Sequence, residues 1–337
     1  MRKFLVIQTA FIGDVVLATA IIEKLHAQDP AAKIDFLLRR GNEGLLEGHP
    51  FINQLLVWDK KKNKISNLLK LTAAVRKTRY DAVINVQRFA ATGFLTAFSK
   101  AKMKIGFTKN PFSFLFTHRV KHIIGTPEHP LHEVDRNQLL ISHLADTTPA
   151  RPCLYPSPEA EGKVAGLKAK PYIVVAPASV WFTKQYPASK WISFLDKVPH
   201  TVNVYLIGGP GDAELSEWIR SNSIHPSVHN LCGHYNFLES AALQRDALMN
   251  YVNDSAPMHF ASAVNAPVTA VYCSTLPSFG FGPLSDRKYI VQTEEALSCR
   301  PCGLHGKKAC PAAHFHCALK IRDEQLLASL NAGSYEG

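Results

Sequence analysis

Val252-Asn253-Asp254-Ser255-Ala256-Pro257-Met258-His259-Phe260-Ala261-Ser262-Ala263 is the most telling stretch of this chain. It closes a strand-like run, Ala247 to Val252, and turns through polar residues able to cap a helix. A proline then sits where a first helical turn tolerates one, because its missing N–H would have had no partner there. Behind it runs a helix of small and apolar residues. Such a helix start offers free backbone N–H groups and a positive dipole end, a natural seat for phosphate, and His259 falls about one turn in. An ordinary capped core helix has the same pattern, so the segment alone weighs structure and function about equally.

Three further segments repeat the strand–turn–helix plan. Tyr172 to Ala176 reads as a buried strand and Pro187-Ala188-Ser189-Lys190-Trp191 as a helix start. The loop between them carries a hydroxyl, Ser179, and a cation, Lys184, in the place where α/β proteins bind ligands, beyond the carboxyl ends of their strands. Taken singly, Lys184 equally fits a solvated surface lysine. Asn203 to Ile207 is a strand followed by Gly208-Gly209-Pro210-Gly211-Asp212, where glycines allow close backbone approach and Asp212 can accept hydrogen bonds from a ribose. At the amino terminus, Phe4-Leu5-Val6-Ile7 leads through Gln8-Thr9-Ala10-Phe11-Ile12-Gly13-Asp14 into a helical stretch, Val15 to Leu25. Only Gly13 is present there, which argues against a dinucleotide fingerprint. Asp14 stands at the helix start, as a plain N-cap aspartate would.

Together and in this order, the four segments resemble glycosyltransferase family 9, the ADP-heptose:lipopolysaccharide heptosyltransferases. The resemblance covers nearly the whole chain and is most specific at Ile12-Gly13-Asp14, at Lys184 to Trp191 and at Asn253 to His259, with Phe281-Gly282-Pro283-Leu284-Ser285 in addition. The family usually has glycine where Ala256 and Cys273 stand. It implies a GT-B architecture, in which two Rossmann-like doubly wound α/β domains face a central cleft. It also implies inverting transfer of heptose from ADP-heptose to Kdo or heptose on a lipid A precursor. Asp14 would then be the general base, and Lys184 would neutralise the leaving diphosphate. Ser179, Asp254, Ser255, Ala256, Pro257, Met258 and His259 would line the donor's diphosphate, and Asp212 its ribose. A lysine and a helix dipole take the developing charge, so no metal is expected in the chemistry.

Charge placement points to an anionic partner. Residues 1–150 hold 22 Lys and Arg against 12 Asp and Glu, whereas the remainder is almost balanced, with 16 against 15. There is no nucleic-acid motif, so no nucleic-acid partner is expected, and a phosphorylated lipid acceptor at the inner-membrane surface fits the sign. No apolar run approaches the roughly 18 residues of a membrane span, and the apolar run after Met1-Arg2-Lys3 is too short for a signal peptide. The expected setting is the cytoplasm, peripheral to the inner membrane.

Strand-like runs at Phe4–Ile7, Ile34–Leu38, Leu55–Trp58, Ala82–Val86, Lys104–Gly106 and Val120–Ile124 alternate with helical stretches, which predicts a parallel sheet over residues 1–150. Pro149, Pro152, Pro156 and Pro158 mark a connection. A second domain is expected over residues 165–322, and a last helix, 323–335, is expected to return to the first. Cys299, Cys302, Cys310 and Cys317 cluster near His305, His314 and His316, a spacing that suits a structural zinc or simply free thiols. Two rival classes stay open: another nucleotide-sugar enzyme of epimerase type on the same scaffold, and a non-catalytic binder of anionic lipid or nucleic acid.

Overall fold

The computed structural model describes residues 1–332, which separate into two compact units, Met1–Tyr155 and the chain from Pro156 on. The division falls within the proline-rich passage. In the first unit, strands β1 (Lys3–Ile7), β2 (Lys33–Arg39), β3 (Ile52–Trp58), β4 (Ala82–Asn85), β5 (Met103–Phe107) and β6 (His118–Val120) form one parallel sheet in the order β3-β2-β1-β4-β5-β6. Helices α1 (Ile12–Gln28), α2 (Lys64–Thr78), α3 (Ala90–Ala97) and α4 (Glu133–Gln138) accompany it. The second unit has β7 (Tyr172–Ala176), β8 (Asn203–Leu206), β9 (Val228–Asn230), β10 (Met249–Asn253), β11 (Val268–Tyr272) and β12 (Lys288–Gln292), again parallel, in the order β12-β11-β10-β7-β8-β9. Its helices are α5 (Pro158–Val164), α6 (Ala188–Leu195), α7 (Ala213–Asn222), α8 (Phe237–Arg245), α9 (Ala256–Ala263), α10 (His316–Leu319) and α11 (Asp323–Asn331). Counted from its own first strand, each sheet runs 3-2-1-4-5-6, the doubly wound Rossmann order. The expected α/β class with two Rossmann-like units is thus present.

The second sheet shows why these residues make strands. Ile173 and Val175 of β7 point to one face, with Trp191, Phe194 and Tyr251. Tyr172, Val174 and Ala176 point to the other, with Val252 and Ala242. This is the two-residue alternation of a strand, and with both faces covered by helices every position of β7 is apolar and buried.

Two details differ from the sequence reading. The last strand of the first sheet was expected over Val120–Ile124 but ends at Val120, because its partner β5 ends opposite it at Phe107 and leaves no ladder for residues 121–124. The edge strands β9 and β12 carry too many exposed and polar residues to read as buried runs. The terminal helix α11 packs on the second sheet. Leu326 and Leu330 enter the core beside Trp191 and Phe194, the Tyr251 hydroxyl donates to the Leu326 carbonyl at 3.2 Å, and Ser193 and Lys197 hold Asp323 at 2.6 and 2.8 Å. Residues 333–335 of the expected helix lie outside the described residues.

Candidate active site

In a doubly wound sheet, ligands bind beyond the carboxyl ends of the two strands where the order reverses. In the second sheet these are β7 and β10, and the segments that leave them meet. The Lys184 ammonium lies 2.7 Å from Asp254 Oδ2, with side-chain exposures of 15% and 9%. Thr275 Oγ1 donates to the same oxygen at 2.7 Å. Asn253, the fully buried last residue of β10, clamps the β7 loop at both ends: its Nδ2 donates to the Pro177 carbonyl at 2.7 Å, and its Oδ1 accepts from the Tyr186 N–H at 2.9 Å. Ser179 rides on that half-buried loop, and Gln185 Nε2 donates to its carbonyl at 2.5 Å.

The start of α9 departs from a standard cap. Ser255 occupies the N-cap but makes no side-chain cap bond, and its hydroxyl turns back to the Asn253 carbonyl at 3.4 Å. Pro257 lacks an N–H, and the Met258 N–H folds back to the Ser255 carbonyl at 3.2 Å. Ser255, Ala256 and Pro257 are half-buried, so the helix tip is reachable, whereas Met258 and His259 are in the core. The His259 ring packs edge-on at 6.3 Å from Phe281. Asp212 stands after β8, at the head of α7, where its Oδ2 accepts the Gly209 N–H at 2.8 Å.

Asp14 belongs to the first unit. It is the third residue of α1, whose N-cap is Phe11, so it lies in the first turn rather than capping it. The strand before it, β1, is one of the two at that sheet's order reversal. The surroundings are strongly cationic. Arg136 is buried and paired with Glu133, donates to the Ile123 carbonyl at 2.8 Å, and is held at about 10 by burial and by Arg88, with Asp14 acting in the opposite sense. Burial, then Arg136, Arg88 and Lys109, push the His122 imidazole down to about 4. Burial and then Arg39 push Lys60 down to about 8, and its ammonium donates to the Thr9 carbonyl at 2.7 Å.

Cys299, Cys302, Cys310 and Cys317 line one hollow of about 490 Å³ together with His314. Cys302 Sγ donates to the Cys299 carbonyl at 3.4 Å, and burial raises the Cys317 thiol to about 11. As the side chains stand, no three Cys, His, Asp or Glu among the described residues form a group able to hold a metal ion. The segment is instead tied down by Arg300, which donates to the carbonyls of Cys273 at 2.7 Å and Thr275 at 3.0 Å and to Gln292 Oε1 at 2.8 Å.

Sequence reasoning missed Thr275, Arg300 and the clamp made by Asn253. The signal for Asn253 was an amide ending a strand; Thr275 and Arg300 gave none, since only the fold brings them to Asp254 and the β11 end.

Residues 68–311 match the family model of glycosyltransferase family 9 (heptosyltransferase). Among curated proteins, lipopolysaccharide heptosyltransferase 3 of Escherichia coli K12 is 30% identical over 285 residues, 78% of this chain and 80% of that protein. Among solved structures, a family 9 glycosyltransferase from Veillonella parvula superposes with a TM-score of 0.86 at 21% identity, covering 100% of this chain and 98% of the other. Escherichia coli ADP-heptose lipopolysaccharide heptosyltransferase II gives 0.79 at 21%, with 98% of each chain covered. The family match spans more than half of the chain and agrees with the fold and with the residues gathered at β7 and β10: this protein is a glycosyltransferase of family 9.

Proposed function

We propose that the protein transfers heptose from ADP-heptose to Kdo or heptose on a lipid A precursor, with inversion at the anomeric carbon and with no metal in the chemistry. The observation that carries this reading is the Lys184–Asp254 pair beside the uncapped start of α9, at the order reversal of the second sheet. A glycosidic bond to a diphosphate breaks with negative charge collecting on the leaving oxygens. A fixed ammonium and a helix start stabilise that charge more in the transition state than in the ground state. Lys184 therefore takes the departing diphosphate, aided by Ser179 and the backbone of Ser255 and Ala256. Asp254 and Pro257 shape that corner, Met258 and His259 support it from the core, and Asp212 meets the ribose. Asp14 removes the proton of the acceptor hydroxyl as general base, in the field of Arg136 and Arg88, which also suits a phosphorylated or acidic acceptor. The four cysteines take no part in the reaction, and any zinc they held would be structural. No helix among the described residues is long and apolar enough to cross a membrane. The basic first unit places the enzyme on the cytoplasmic face of the inner membrane through its lipid acceptor.

The test is a product assay with ADP-heptose and Kdo-lipid A or heptosylated Kdo-lipid A. Mass spectrometry should find one added heptose, and NMR the inverted anomer. Isomerised donor in the absence of acceptor would assign the protein to the epimerase type, and lipid binding without turnover would make it a binder.

A further inference from the structure

The β7 loop that carries Lys184 does not hold its shape alone. Thr183 is fully buried, and its N–H donates to the Lys307 carbonyl at 3.1 Å while its Oγ1 accepts the Lys307 N–H at 2.8 Å. Ser274, just beyond β11, donates to the same Oγ1 at 3.0 Å. The rings of Phe182 and Phe315 stack with centroids 5.1 Å apart. Next to Lys307, Gly306 lies against the stem of Lys184: a Cβ built there would fall 2.8 Å from Lys184 Cγ, 3.1 Å from Cδ and 3.1 Å from Trp181 Cβ. Its φ of +74° belongs to the left-handed region, so a side chain at this position meets both strain and collision. The base of the segment is anchored independently, by Arg300 and by the Cys302 N–H, which donates to the Ser274 carbonyl at 3.0 Å. The lysine is thus set from two sides, its stem by Gly306 and its ammonium by Asp254.

We propose that Thr183 and Gly306 are positioning residues: residues 300–307, folded over the stem of Lys184, determine where its ammonium meets the departing diphosphate. This rests on Lys184 acting on that leaving group. An electrostatic catalyst works only when aimed, and a displacement of about 1 Å at such a group costs on the order of 10²-fold in rate. The contribution proposed for the segment is shape.

Gly306→Ala, Thr183→Val and Thr183→Ser test it. Lysine acylation read by mass spectrometry reports the enclosure of Lys184 whether or not any sugar is transferred. It should rise severalfold in Gly306→Ala and Thr183→Val and stay near wild type in Thr183→Ser, which keeps the hydroxyl. With donor and acceptor, kcat should fall about 10- to 100-fold in the first two, with the KM for donor changed far less, and recover in Thr183→Ser. If Lys184 labels as in the wild type in both folded variants, the segment does not position it and the proposal is overturned. An equal loss in Thr183→Ser and Thr183→Val would overturn it as well, because the hydroxyl would then not be the link. A wild-type protein without transfer would refute the leaving-group role, and the labelling would still decide the positioning.

Discussion

Two side chains carry the proposed chemistry, and their substitutions have different signatures. Asp14→Asn keeps the size and removes the base, so kcat should drop by about 10²- to 10⁴-fold while ADP affinity, measured by calorimetry, stays unchanged. Lys184→Ala should lower kcat by about 10²- to 10³-fold, with a smaller loss in ADP affinity. His122 offers a check on the field around Asp14. Its folded-state pKa of about 4 lies below the roughly 6.5 of an unfolded histidine, so between those values the unfolded chain binds more protons. The contribution of this group to stability is therefore complete above about pH 6.5 and is lost as the pH falls towards 4. Thermal melts of His122→Gln should show a shallower decline across that window. The helix start at Asp14 and the strand-leaving loop at Lys184 were legible because both are local patterns, whereas the roles proposed for the two residues come from the resemblance alone. The partners Thr275, Gly306 and Arg300 were not legible, since each reaches the site across strands far apart in the chain.

Among the elements, α11 was legible as a helix, whereas its packing in the second unit was not. Its residues give it away as a helix, and its seat in the second unit is decided by Leu326, Leu330 and Asp323 finding β10, β12 and α6. Leu326 is fully buried, so Leu326→Ala should cost about 2–5 kcal/mol, seen as a lowered melting temperature of the second unit. The buried strands β1, β4 and β7 were legible because continuous apolar runs mark strands covered on both faces. The edge strands β9 and β12 were not, since a half-exposed strand shares its composition with loops. The start of α9 was legible as a helix start, but its bare N-cap was not: a serine there announces a cap that the structure does not make.

At the scale of the whole chain, the uneven charge and the lysine-based chemistry make two solution predictions. Vesicles with anionic lipid should retain the protein at low ionic strength and release it at high, because exposed charges are screened within a Debye length of about 10 Å at 0.1 M salt. Exhaustive chelation should leave turnover intact. The strand order, repeated in both sheets, puts a proposed reacting group just beyond the first strand of each unit, Asp14 after β1 and Lys184 after β7. With its ammonium already balanced by Asp254, the resting protein keeps no naked charge in a half-buried corner. If Lys184 takes the diphosphate as proposed, an arriving nucleotide shares that ammonium with a carboxylate already in place. On that proposal, the standing partner would weaken entry and hasten exit alike.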